Sequence, residues 1–100
     1  MAAVPVIDME LAREKARTGD LDGAIELARA VVDDEFETGE MTFRGPATTV
    51  LVESLLRRGT DADVQEANGA VERLASAPTD PGFVLHDIWL LRLRALLSQG

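Results

Sequence analysis

Residues 19–32 constrain the fold of this chain more than any other stretch, because they close one helix and open the next. Gly19 and Asp20 form the break. The residues that follow place apolar side chains at the spacing of a helix with one buried face, namely Leu21, Ala24, Leu27, Ala28 and Val31. The same pattern returns 43 positions later as Val64, Ala67, Ala70, Val71 and Leu74. The matching alanines, Ala24 and Ala67, predict that another helix crosses close to the backbone at both points.

Glycine, proline and capping residues divide the whole chain into five predicted helices. They cover about residues 5–18, 20–39, 42–59, 63–77 and 83–98, and residues 79–82 form a turn before the last. Asp20 is the expected N-cap of the second helix, and Asp63 to Glu66 resembles a capping box for the fourth. The sequence therefore predicts an all-α fold of five antiparallel helices, in helix-turn-helix pairs, as a single domain over residues 1–100.

Composition excludes several classes of protein. There is no cysteine, so disulfides and thiolate-based metal or catalytic sites are excluded. The net charge of −8 disfavours binding to the phosphate backbones of nucleic acids. The apolar run over residues 83–97 contains charges and is too short to span a membrane, and Met1–Ile7 lacks the basic leader of a signal peptide. We expect a cytoplasmic protein that binds neither nucleic acid nor membrane.

Two resemblances accompany this repeat pattern. Residues 19–26 resemble the turn and second helix of a tetratricopeptide repeat, although the period of 40–43 residues exceeds the 34 of that family. Residues 45–59, 70–75 and 90–97 are similar to the C-terminal helical region of bacterial signalling proteins that combine a nucleotide cyclase domain, an ATPase domain and a tetratricopeptide-like tail. The nucleotide loops and metal-binding aspartates of those proteins have no counterpart here. The resemblance thus implies a helical tail and not a catalytic domain.

An acidic cluster lies at the end of the second predicted helix. It consists of Asp33, Asp34, Glu35, Glu37 and Glu40. These carboxylates form a solvated face, bind a basic partner segment or bind a divalent cation. The spacing does not match a calcium loop, and consecutive helical residues point in different directions, so a solvated face is the favoured interpretation and no metal site is assigned.

The remaining charged candidates have plain structural explanations. We interpret the lone histidine, His86, as a packing or helix-start residue, because no serine or cysteine arrangement would make it a catalytic base. Glu53 and Arg57 have the spacing of a surface ion pair. No catalytic residues, cofactor or small-molecule substrate are predicted.

The fifth predicted helix is apolar around most of its circumference and requires more cover than one groove can give. It supplies the predicted interface with another chain, formed by Leu85, Ile88, Trp89, Leu90, Arg92, Leu93, Leu96 and Leu97. Arg92 either extends its stem along apolar surface or makes a salt bridge across that interface. The sequence predicts a non-enzymatic protein-interaction or assembly module that forms a homodimer. The alternative is a stand-alone acidic regulator that binds a basic protein segment through the acidic cluster.

Overall fold

The described part of the chain is helical except at the short breaks at residues 18–20 and 59–60, as the sequence predicts. The computed structural model describes residues 5–38, 44–76 and 84–99, and the side chains of 8–38, 45–76 and 88–98 within them. These ranges contain five helices and no strand: α1 (Pro5–Arg17), α2 (Leu21–Thr38), α3 (Arg44–Arg58), α4 (Asp61–Ser76) and α5 (Val84–Gln99). The predicted turn at residues 79–82 lies outside the described residues.

Two glycines end helices in the way that their positions in the sequence predict. Gly19 has a φ of +96° and Gly59 a φ of +74°, a region that side chains with a Cβ rarely adopt. After α1, the N–H of Gly19 donates to Ala16 O at 3.2 Å and that of Asp20 to Lys15 O at 2.8 Å, which is a Schellman motif. After α3, the Gly59 N–H makes the simpler bond to Leu55 O at 2.8 Å.

The helix starts confirm one predicted cap and correct the other. Asp20 caps α2, since its Oδ1 accepts from the Gly23 N–H at 3.0 Å. The predicted capping box from Asp63 to Glu66 is wrong. The box is formed one turn earlier, where the Asp63 N–H donates to Thr60 Oγ1 at 3.1 Å and the Thr60 N–H donates to Asp63 Oδ2 at 3.3 Å.

This correction explains why the caps and the apolar pattern repeat at different distances. The caps Asp20 and Thr60 are 40 positions apart, whereas the buried pairs Ala24/Ala67 and Ala28/Val71 are 43 apart. Three residues are close to one helical turn, so α4 gains a turn at its start without changing the face it buries.

The helices pack as a slab of two layers. Within the first layer, α3 contacts both α1 and α5; in the second, α2 packs against α1 and α3, and α4 packs against α3 and α5. The Cα atoms extend over 38 × 37 × 18 Å, and the thin dimension fits two layers of helices. Among the described helices, α3 therefore has neighbours on both sides, whereas α1 and α5 form the two edges.

The core lies between the two layers and contains the two alanines singled out by the repeat. Ala24 and Ala67 are both completely buried, as expected of positions where helices pack together. Around them lie the larger buried side chains of α2, α3 and α4, including Ile25, Val52, Leu55, Val71 and Leu74.

Leucine in place of either Ala24 or Ala67 is expected to lower the free energy of unfolding by about 1–3 kcal/mol, because a filled core cannot accept three extra carbon atoms without strain. Urea denaturation of each variant measures this loss. Ala30, which is exposed on α2, is the matched control, and the same substitution there should leave stability nearly unchanged. Equal stability of the Ala24→Leu and Ala30→Leu proteins would contradict the packing.

Candidate interaction surface on the fifth helix

The inward face of α5 joins the core of the slab. Leu93 is completely buried, and Leu90, Leu96 and Leu97 are partly buried against the core. These four residues belong to the predicted interface, but in this structure they pack within the chain, between α5 and the helices α3 and α4. Leu85 is also part of that prediction, and its side chain lies outside the described residues.

Trp89 joins α5 to the start of α3 through a glycine. A Cβ added to Gly45 would overlap the indole ring of Trp89, so only glycine permits this approach. On the same ring, the guanidinium carbon of Arg92 lies 5.0 Å from the centroid, within the range of a cation–π contact. Sequence reasoning missed Gly45, although the succession of small residues from Gly45 to Ala47 was a signal for close approach.

The outward face of α5 carries an exposed apolar stripe. Ile88 is 44% exposed and Leu91 is 70% exposed, and Ala95 is exposed beside the groove between α3 and α5. Steps of three and four residues bring these three side chains onto one face of the helix. We call them the α5 stripe. Ile88 was among the predicted interface residues, whereas Leu91, the most exposed of them, was not.

The positions of α3 that correspond to the α5 stripe are buried, because α3 has neighbouring helices on both sides. Aligning the glycines that follow the two helices, Gly59 and Gly100, matches the α5 stripe with α3 positions 41 residues earlier. These positions are Ala47, Val50 and Ser54, and all are at most 5% exposed. Among the described residues, the corresponding face is therefore covered in α3 and exposed in α5.

Arginines border the α5 stripe on both sides. Arg92 and Arg94 are exposed and follow Leu91 at one and three positions, which places them on opposite flanks of the stripe. Among the described side chains of α5, residues 88–98, none is acidic. Among the described side chains of α5, this edge of the slab thus combines an apolar centre with an arginine on each side.

The first layer also carries two shallow grooves. One, of about 410 Å³, lies between α1 and α3, and the other, of about 270 Å³, lies between α3 and α5. Glu53 lines both grooves, and Arg92 lines the second. Arg57 does not pair with Glu53 among the described ion pairs; its Nη1 donates to the carbonyl oxygen of Ala16 at 2.8 Å and so links the ends of α3 and α1.

The acidic cluster does not form a single patch. Arg73 of α4 donates to Asp33 Oδ1 at 2.6 Å and lies over the ring of Phe36, 4.3 Å from its centroid. Glu35 is completely buried, whereas Asp34 and Glu37 are exposed. Glu40 lies outside the described residues, as does the side chain of His86. The carboxylates that sequence grouped together therefore have different surroundings.

Asparagine at Asp33 and asparagine at Asp34 are expected to have opposite effects on stability. Asp33→Asn loses the ion pair to Arg73 and should lower the free energy of unfolding by about 0.2–1 kcal/mol. Asp34→Asn removes an anion near the negative end of the α2 dipole and should raise it by roughly 0.3–1 kcal/mol. Thermal denaturation of the two variants at low salt measures both changes, and a loss of stability for Asp34→Asn would contradict its solvated placement.

Arg58 is the centre of a polar cluster that connects three helices. Its Nε donates to Asp63 Oδ2 at 2.8 Å, its Nη2 to Asp63 Oδ1 at 2.5 Å and its Nη1 to Asp22 Oδ1 at 2.8 Å. The hydrogen bonds from Arg58, aided by those of Thr60, hold the pKa of the Asp63 carboxyl well below its usual range, although burial opposes this shift. The two carboxylates in turn raise the pKa of Arg58. This cluster joins the starts of α2 and α4 to the end of α3.

Further cross-links connect α2 and α4. Arg29 donates through Nε and Nη2 to the two carboxylate oxygens of Glu66, at 2.8 and 2.7 Å, and this contact raises the pKa of Arg29. Glu66, assigned from sequence to a capping box, is therefore an ion-pair partner. Among the described residues, no three histidine or carboxylate groups come together as a metal site, and no described helix is long and apolar enough to cross a membrane.

Comparison with known proteins identified no relative of this chain. No protein-family model, no curated protein and no solved structure matches the chain.

Proposed function

We propose that this chain is a non-enzymatic protein-interaction and assembly module, and that the outer face of α5 is its contact surface. Its helices pair in the antiparallel, tetratricopeptide-like manner that the sequence pattern predicts, and the chain is related to the helical tails of nucleotide-cyclase-type signalling proteins. The resemblance of residues 45–59, 70–75 and 90–97 supports this relation.

The α5 stripe is the observation that carries the proposal. Isolated apolar residues on a surface are common, but Ile88 and Leu91 are adjacent on one face, and the aligned face of α3 is buried. Covering a large apolar side chain contributes roughly 1.5–3 kcal/mol. A complex in which a second protein chain covers this face is therefore stabilised by the burial of these side chains.

The simplest assembly is a homodimer in which the α5 stripes of two copies meet about a two-fold axis, the commonest closed symmetry. Ala95 supports such a pairing, since a small side chain lets two helices approach closely. In this arrangement the partly buried Trp89 contacts α3 and stays within its own chain.

We expect sedimentation at micromolar concentrations to show a dimer, and Leu91→Glu to convert it to a monomer, because the substitution removes the most exposed large apolar side chain of the contact and puts a carboxylate that must be desolvated in its place. Val64→Glu is the matched control: Val64 is 41% exposed on α4 and is not part of the α5 stripe, so the substitution should leave the dimer intact. Circular dichroism confirms that both variants remain folded. A wild-type monomer would overturn the homodimer.

A second candidate function is the binding of a basic protein segment to the second layer. Helices α2 and α4 together contain ten acidic and two basic residues, whereas α1, α3 and α5 contain five acidic and eight basic ones. This separation of charge favours a basic partner on the α2–α4 side. A monomeric wild-type protein in the sedimentation experiment would favour this function over self-association.

A further inference from the structure

The fold itself shows which helices cover the first layer. Within the slab, α1 and α3 pack against α2, and α3 and α5 pack against α4. Both covering helices are amphipathic and acidic: α2 has six acidic residues and one basic residue, and α4 has four and one. Each also places a carboxylate of its first turns on an arginine of the first layer, since Asp22 and Asp63 both accept from Arg58.

The arginines beside the α5 stripe also favour contact with an acidic helix. Arg92 and Arg94 stand on its two sides, and neither takes part in a described ion pair. Glu53 of α3 lines the groove beside Arg92, and the side chain of Asp87 lies outside the described residues. A helix that lies on the stripe brings its own flanking residues close to these two guanidinium groups. Acidic flanks would be attracted to them and basic flanks repelled.

A second copy of this chain does not provide, among its described α5 side chains, the acidic residues that would complement Arg92 and Arg94 beside the α5 stripe. When two α5 helices pair in antiparallel orientation about a two-fold axis, each flank faces its own equivalent, so Arg94 approaches Arg94 of the other copy. In parallel orientation, Arg92 of one copy approaches Arg94 of the other. Both arrangements place like charges side by side, which weakens the contact.

We propose that the preferred occupant of the α5 stripe is an amphipathic helix of another protein with acidic residues beside its apolar face, and that this helix displaces the second copy. The inference rests on the proposed function, because it names the partner of the same surface. The homodimer is then the form that the chain adopts when the acidic helix is absent.

The test uses the whole chain and a peptide with the sequence of residues 21–38, which is itself an acidic covering helix. This peptide contains no tryptophan, and Trp89 is the only tryptophan of the chain, so indole fluorescence reports binding at α5. The control peptide has asparagine or glutamine at its six acidic positions and keeps the same apolar face. We expect the acidic peptide to change Trp89 fluorescence, to shift the sedimentation from dimer toward monomer, and to bind at least about fivefold more tightly than the control.

Variants and salt then identify the contact. Arg92→Gln with Arg94→Gln should reduce the affinity for the acidic peptide by about fivefold, whereas Arg17→Gln, an exposed arginine of α1, should leave it unchanged. Raising the salt concentration from about 0.05 M to about 0.5 M should weaken peptide binding and strengthen the homodimer, because screening removes the attraction in one and the repulsion in the other.

The outcomes separate this inference from the proposed function. Equal binding of the acidic and amide peptides, or a homodimer that the acidic peptide does not displace, would overturn the acidic partner and leave the assembly module standing. Loss of peptide binding in Leu91→Glu, together with retention in Val64→Glu, would support the α5 stripe as the site. A monomeric chain that binds neither peptide would overturn both proposals.

Discussion

Alanine at Leu93 is expected to lower the free energy of unfolding by about 2–5 kcal/mol, the range for deleting a buried leucine side chain. Leu93 is completely buried where α5 meets α3 and α4, so the substitution leaves a cavity that its neighbours can fill only in part. Urea denaturation followed by circular dichroism measures the change. The loss should appear at every protein concentration, because the cavity lies within one chain.

Leu91→Ala is the matched control for this prediction. Leu91 is two residues away on the same helix and 70% exposed, so its truncation should change the stability of the monomer by less than about 0.5 kcal/mol. Leu91→Ala should instead weaken the dimer. Similar losses of monomer stability for the two alanine variants would mean that α5 is rotated relative to the orientation described here.

Arg58→Leu is expected to lower the free energy of unfolding more than a substitution that breaks any other ion pair among the described residues. The side chain of Asp63 is only 4% exposed, and removing its guanidinium partner leaves a nearly buried carboxylate with the capping contacts of Thr60 alone. Breaking such a pair by removing one partner is among the costliest polar substitutions. Arg29→Leu is the control, because the pair between Arg29 and Glu66 is much more exposed.

The same cluster gives the stability of the protein a defined dependence on pH. The pKa of Asp63 is lower in the folded chain than in the unfolded one, so the unfolded chain binds more protons in acid. The stability that Asp63 contributes is present above its unfolded pKa of about 4 and is lost as the pH falls towards its folded pKa. Denaturation midpoints measured from pH 7 downward should show a shallower acid-side loss in Asp63→Asn than in the wild-type chain. Parallel curves for the two proteins would contradict the role of this carboxylate.

The sequence was sufficient to predict the helices and part of the core, because these depend on local rules. Gly19 and Gly59 end their helices with positive φ angles, and Ala24 and Ala67 are buried where the repeat places them. The capping box was misplaced because both Thr60 with Asp63 and Asp63 with Glu66 have the required spacing of three residues. The earlier pair forms the box since the linker after Gly59 is only one residue long.

The candidate surface was harder to predict, because it depends on contacts between distant residues. A helix with apolar residues on both sides has no preferred orientation in its own sequence, and α5 is oriented by Trp89 against Gly45, a contact across 44 positions. The partner of Asp33 is likewise 40 positions away, at Arg73. Leu91 could therefore not be separated from Leu93 until the helix was placed against α3 and α4.

The gap between α2 and α4 has a mechanical consequence. No Cα atom of α2 lies within 8 Å of one in α4, and both helices pack on α3. Arg29 and Arg73 form ion pairs between α2 and α4, and Arg58 of α3 binds Asp22 of α2 and Asp63 of α4. We therefore expect α2 and α4 to be able to move relative to each other about the axis of α3, with these cross-links limiting the motion. Because most of them are exposed, salt weakens them, so the bending stiffness of the molecule should fall as ionic strength rises.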